Sequence, residues 1–156
     1  MKLTGGCQCG AVRFVATGEV KEAAVCHCRM CQKAAGSVIW PFFTVKRVDL
    51  DWTRGKPDRW RSSNSAQRGF CAHCGTPLTF EPDGKETIDL SIGALDDPET
   101  LPPTHHVWSQ KMIGWFDSLI GLPRTEEPEI PNEATAQQSF QHPDNPTDDK
   151  DGWPKG

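Results

Sequence analysis

Cys7-Gln8-Cys9-Gly10 and Cys71-Ala72-His73-Cys74-Gly75 decide the fold of this chain. In each stretch two cysteines lie close together and a glycine follows the second. Glycine takes positive φ without a Cβ clash, so the backbone can turn back and aim amide N–H groups at thiolate sulfur. Two such knuckles supply four soft donors, the closed set of structural zinc, and their wide separation makes the metal a clip between distant strands. Buried small apolar cysteines are the plainer alternative, but burial alone requires neither the paired spacing nor the glycines. Cys7, Cys9, Cys71 and Cys74 are therefore assigned to one structural zinc. Its loss is expected to unfold the domain, because such an ion contributes on the order of 10 kcal/mol or more of apparent binding energy to folding.

Between the knuckles lies Cys26-His27-Cys28-Arg29-Met30-Cys31, three thiols with no glycine turn. The chain has seven cysteines, so no eighth is left to complete a second set of four. Three protein ligands beside a vacant position is the arrangement of catalytic zinc, whose vacancy admits water or substrate. A short helix predicted over residues 29–35 begins within this cluster. Its first-turn amides, with Arg29 and Lys33, favour thiolate over thiol, so these cysteines are expected to be acidic. Three thiolates around a dication leave the site anionic, a weak Lewis acid that suits a small-molecule thiol better than hydroxide. Two other readings stay open. A histidine (His27, His73, His105 or His106) closes the site as a second structural zinc, or the thiols hold no metal and Cys28 and Cys31 form a redox C-x-x-C pair. His27 is the least suited of the four, because a residue wedged between two ligating cysteines points away.

Around these clusters the sequence is mainly β. Val12, Phe14 and Ala16 alternate, and Ile88, Leu90 and Ile92 alternate against Asp89 and Ser91, the period of a half-buried strand. Further strands are predicted over residues 24–26, 38–45, 59–62, 68–70, 78–80 and 106–109. A length of 156 residues fits one domain, placed over residues 1–122. From Pro123 the composition turns to Pro, Glu, Asp, Asn and Gln, with Ile130, Phe140 and Trp153 the only large apolar residues. Residues 123–156 are accordingly expected to be an acidic tail, extended along the body or partly disordered. The net charge is −4, yet the tail holds eight acids against three bases, which leaves the body at +1. A near-neutral body offers no field for a phosphate backbone, which argues against nucleic acid as the main partner. With no apolar run fit for a signal peptide or a bilayer span, a cytoplasmic location is expected, where cysteines serve metal or thiol chemistry rather than disulfides.

The three cysteine motifs, in order, resemble those of the glutathione-dependent formaldehyde-activating enzyme family, which also includes the centromere protein V domain. The resemblance rests on Gly5-Gly6-Cys7-Gln8-Cys9-Gly10-Ala11-Val12-Arg13-Phe14, on Cys26 to Lys33 with Gly36, and on Arg68-Gly69-Phe70-Cys71-Ala72-His73-Cys74-Gly75-Thr76-Pro77-Leu78. His106-Val107-Trp108-Ser109-Gln110-Lys111 and Trp115-Phe116 resemble its closing segment. It implies a β-tent fold of antiparallel sheets, structural zinc on the first and third motifs, and catalytic zinc on Cys26, Cys28 and Cys31. The implied activity is that of a carbon-sulfur lyase or synthase, joining glutathione and formaldehyde as S-hydroxymethylglutathione or cleaving that adduct. A thiol and an aldehyde are then the partners. His105 or His106 is a candidate proton relay, Trp40, Phe42, Phe43, Trp108 and Trp115 are candidate pocket walls, and Arg29, Lys33, Arg59, Arg61 and Lys111 are candidate carboxylate binders. The competing functions are a non-catalytic zinc module for a macromolecular partner and a thiol redox protein.

Overall fold

The structure of the protein, a computed structural model, describes residues 1–125 and 139–154. Strands β1 (Leu3–Gly6), β2 (Arg13–Ala16) and β5 (Leu50–Arg54) form a three-stranded antiparallel sheet in the order β1-β2-β5. The other strands are β3 (Glu22–Cys26), β4 (Trp40–Lys46), β6 (Asp58–Ser63), β7 (Ala66–Phe70), β8 (Pro77–Pro82), β9 (Thr87–Ser91) and β10 (His105–Val107), and they build a second sheet in the order β10-β3-β4-β9-β8-β7-β6. Helix α1 covers Arg29–Ala35, as the sequence predicts. Two strands escape the sequence reading. β1 is half glycine, and β5 is a short alternation of Leu50 and Trp52 with Asp51 and Thr53. β10 joins β3 in parallel, the exception to the antiparallel pattern among the described strands, and it stops before Trp108, whose φ of 58° cannot continue a strand.

Period-two alternation gives the seven-stranded sheet two different faces. Phe43, Val45, Ile88 and Leu90 point to the main core, where they meet Phe14, Val12 and Leu78. The intervening residues form a row on the opposite face: Glu22 pairs with Thr44, Thr44 with Asp89, Asp89 with Phe80, Phe80 with Arg68, and Arg68 with Trp60. Two residues along, Ala24 pairs with Phe42, and beyond it Cys26 with Trp40. Cys31 and Ala35 of α1 pack over this face and enclose a second, smaller core with Ala24, Cys26, Trp40 and Phe42. The middle cysteine cluster thus lies on the side of the sheet away from the main core.

A buried charge pair ties β2 to the segment that follows β9. Arg13 Nη2 lies 2.6 Å from Asp96 Oδ2, with both side chains less than a tenth exposed, and Thr4 Oγ1 donates to the same oxygen at 2.6 Å. Truncating one partner leaves the other charge buried and unpaired, so Asp96→Ala is expected to destabilise the fold by about 3 kcal/mol, read as a lowered urea midpoint at unchanged m.

Residues 139–154 run over the first knuckle. His142 N–H donates to Gln8 O at 2.7 Å, His142 Nε2 meets Thr147 Oγ1 at 2.7 Å, and the His142 ring stacks edgewise on Trp153. Arg54 donates to Thr147 O at 2.8 Å. His142 is buried, whereas Phe140 is exposed; Ile130 lies outside the described residues. No helix among the described residues is long and apolar enough to cross a membrane.

Candidate metal centres and pocket

Gly10 and Gly75 adopt φ of 78° and 77°, the turn-back that the knuckle reading requires. Around them Gly10 N–H bonds Cys7 O, Gly75 N–H bonds Cys71 O, and Val12 N–H reaches Cys7 Sγ at 3.2 Å. The Sγ atoms of Cys7, Cys9, Cys71 and Cys74 all lie within 4.8 Å of one another, with Cys7 to Cys9 at 3.6 Å and Cys9 to Cys71 at 3.9 Å. Sulfurs on the corners of a tetrahedron with Zn–S near 2.3 Å stand about 3.8 Å apart. The four thiols therefore fit a zinc-sized ion, and these distances are far too long for a disulfide. Burial pushes the Cys7 and Cys9 thiols up. Burial acts the same way on Cys74, but the Thr76 hydroxyl at 3.1 Å and backbone amides outweigh it and hold that thiol down at about 6.

The second cluster is assembled by the junction of β3 and α1. Cys26 ends the strand, Cys28 caps the helix by accepting the Cys31 N–H at 3.3 Å, and Cys31 sits in the first turn. The three Sγ atoms lie within 4.8 Å of one another, and among the described residues no histidine or carboxylate joins the group. Sulfur-only donors at this spacing suit zinc. Arg68 Nη2 donates to Cys31 Sγ at 3.2 Å, while its guanidinium lies 4.8 Å from the Phe80 ring centroid and 5.6 Å from that of Trp40. A hydrogen bond from the Cys26 thiol and then Arg68 draw Cys31 down to about 5 against the effect of burial. The same pairing, with burial, drives Cys26 up. Of this pair Cys31 is drawn toward the thiolate and Cys26 toward the thiol, because one thiolate opposes a second beside it.

A cavity of about 440 Å³ opens onto this cluster. Of the candidate aromatic walls, Trp40, Phe42 and Trp108 line it, with Phe80 and Val107. Phe43 does not: it is fully buried in the main core, on the other face of β4. Trp115 is half exposed and lies outside the lining. Of the candidate cations, Arg29 and Lys111 reach the cavity, but Lys33 does not. Arg59 is engaged by Glu81 at 3.1 Å and Arg61 by both oxygens of Asp83, so neither serves the pocket. The histidines also turn elsewhere. His27 is fully buried and its Nε2 faces His106 Nδ1 at 2.8 Å under the edge of Phe116, while His105 pairs with Glu22 at 3.0 Å.

Two residues that the sequence reading did not place in the site do belong there. Arg68 and Asp89 occupy polar-face positions on β7 and β9, in the row described above, and both line the cavity. Burial raises the Asp89 carboxyl to about 6, although the Thr44 hydroxyl donates to its Oδ1 at 2.7 Å. Alternation had marked Asp89 as facing away from the core, and so it does, but this face is a pocket floor rather than open surface.

The sequence profile of the glutathione-dependent formaldehyde-activating enzyme family matches residues 2–111. An uncharacterized lyase of Schizosaccharomyces pombe is 30% identical over 76 residues, which are 49% of this chain and 55% of the yeast protein, so the match spans about half of that relative. A Halomonas elongata protein provisionally named a glutathione-dependent formaldehyde-activating enzyme is 26% identical over 127 residues, 75% of this chain and 81% of the relative. In fold, the chain is similar to the crystal structure of a Rhodobacter sphaeroides protein, with a TM-score of 0.52 and 24% identity over 67% of this chain and 99% of that one. The match covers well over half of the sequence, and the chain belongs to the glutathione-dependent formaldehyde-activating enzyme family. Its β-tent of antiparallel sheets accords with that membership.

Proposed function

We propose that this family member joins a small-molecule thiol to an aldehyde and cleaves the resulting adduct, an S-hydroxymethylglutathione-type carbon-sulfur lyase or synthase. The observation that supports it most is a cluster of three thiols that opens onto a cavity with no fourth protein donor among the described residues. A closed second zinc, expected of a purely structural module, needs that donor. In this reading Cys7, Cys9, Cys71 and Cys74 hold a structural zinc, and Cys26, Cys28 and Cys31 hold a catalytic one. Residues 1–122 form the catalytic domain, residues 123–156 are an appendage to it, and the protein works in a reducing cytoplasm that keeps its thiols free.

Zinc on the three-thiol cluster supplies Lewis acidity that lowers the pKa of an incoming thiol. The chain's own residues do the rest. Arg68 holds Cys31 as a thiolate and fixes its direction by sitting between two aromatic rings. Arg29 and Lys111, exposed at the rim, meet the carboxylates of a charged thiol such as glutathione. The aromatic walls exclude water and hold the two reactants in contact. Asp89, whose carboxyl burial raises to about 6, serves as proton shuttle: its carboxylate accepts the thiol proton and returns it to the carbonyl oxygen as the carbon-sulfur bond forms. The sulfur lone pair becomes the carbon-sulfur bond, the carbonyl π pair moves to oxygen and binds the proton as the new O–H bond, and nothing is oxidised or reduced.

The test is exchange NMR with glutathione and formaldehyde on protein whose zinc has been counted. Two zincs per chain and an interconversion rate at least a hundredfold above the protein-free rate are expected. A protein-free rate in the presence of two bound zincs overturns the enzyme reading in favour of an interaction module. A reversible Cys28 to Cys31 disulfide in metal-free protein would favour the redox alternative instead.

A further inference from the structure

We infer that the aldehyde half of the substrate carries a bulky apolar group, branched aliphatic or aromatic, rather than being formaldehyde alone. This rests on the thiol-aldehyde reading above and deepens it. Formaldehyde is hardly larger than a water molecule, whose share of the liquid is about 30 Å³, whereas the cavity measures about 440 Å³. A charged thiol does not account for the remaining space. Glutathione has two carboxylates and an ammonium, and the interior offers them no partner except Asp89, which repels carboxylates. Arg68 is already committed to Cys31 Sγ and to the faces of Trp40 and Phe80. The cations that remain, Arg29 and Lys111, are exposed, so the ionic parts of the thiol stay at the rim and only its sulfur enters.

The interior is built for an apolar occupant. Trp40 and Phe42 stack at 5.3 Å with an interplanar angle of 16°, and they continue the wall formed by Phe80 and Val107. Trp108 lines the same cavity yet is 58% exposed, and its backbone is left-handed (φ 58°), a conformation that disfavours a residue with a Cβ. Strain of this kind persists where the surroundings impose it and recurs at ligand clamps. An indole half in solvent at the edge of an apolar cavity gains contact surface when an apolar group fills the space below it. In the reaction the sulfur-carbon bond forms, the carbonyl π bond opens and the thiol proton passes to oxygen, as with formaldehyde; only the substituent on the carbon differs.

The experiment compares 3-methylbutanal with formaldehyde, each with glutathione, by exchange NMR on the zinc-loaded full chain. The inference expects kcat/KM to be at least tenfold higher for 3-methylbutanal. It also expects the ratio of the two values to fall at least tenfold in Trp108→Ala, the order of discrimination an apolar contact supplies. As a readout independent of turnover, saturation-transfer NMR with unreactive 3-methylbutan-1-ol is expected to show its methyl groups against aromatic protons in wild type, with a weaker transfer in Trp108→Ala. Acceleration of formaldehyde alone, with no transfer to the alcohol, overturns this inference and leaves the thiol-aldehyde reading standing. Acceleration of neither aldehyde removes both.

Discussion

Cys71→Ser is expected to yield an unfolded chain: no cooperative thermal transition, a near-ultraviolet circular dichroism signal reduced to that of the denatured protein, and no zinc retained after desalting. Cys71 is fully buried and stands 3.9 Å from Cys9 across a separation of 62 residues, at the point where the turn after β7 meets the turn before β2. If the four thiols hold zinc, the ion contributes about 10 to 16 kcal/mol of apparent binding energy, comparable with or larger than the 5 to 15 kcal/mol net stability of an ordinary domain. Removing one ligand then forfeits most of that stabilisation. If Cys71 were only a small apolar side chain, exchanging sulfur for hydroxyl would cost no more than about 1 to 3 kcal/mol, and a folded protein with a lowered midpoint would be recovered. The difference between the two outcomes is several-fold, so a single melting curve separates them.

The parts of the fold that were legible in sequence are those whose signals are local. A glycine after a cysteine pair states its own backbone requirement, and both Gly10 and Gly75 meet it. The run Ile88-Asp89-Leu90 shows its alternation within five residues, and β9 follows. What escaped depends on distant neighbours. β1 is a strand because β2 pairs with it, and Gly5 leaves room for Ala94 O, which would lie 2.3 Å from any Cβ placed there. In the site, the cysteines of the middle cluster were legible because they are close in sequence. Arg68 was not, since 37 residues separate it from Cys31 and only the cross-strand row of β9, β8 and β7 brings it near. Asp89 was visible as a polar-face residue, but the closure of that face by α1 and by the turn at Trp108 is a tertiary event. Phe43 illustrates the converse. Aromatic content suggested a pocket wall, and a one-residue step along β4 sends Phe42 to the cavity and Phe43 to the core.

Cys31→Ser is expected to behave in the opposite way from Cys71→Ser: a folded protein that holds one zinc instead of two and exchanges thiol and aldehyde no faster than buffer. Cys31 belongs to the smaller core on the far face of the seven-stranded sheet, not to the core that joins the sheets, and its sulfur reaches distant β7 through a hydrogen bond from Arg68. Serine is nearly isosteric and leaves Arg68 a hydrogen-bond acceptor, which keeps the cost to folding at about 1 to 2 kcal/mol. Activity has no such buffer. A hydroxyl is a poor zinc ligand and does not ionise near neutral pH, so both the charge that Arg68 stabilises and the third donor are lost together. If the cluster supplies about 4 kcal/mol to the rate-limiting barrier, its loss slows the reaction about a thousandfold. Circular dichroism, zinc content and exchange NMR on the same sample read the three consequences separately. A Cys31→Ser protein that unfolds as Cys71→Ser does would make both clusters structural and return the molecule to the class of zinc modules. A folded, one-zinc, inactive protein divides the seven thiols into four that hold the fold and three that do the chemistry.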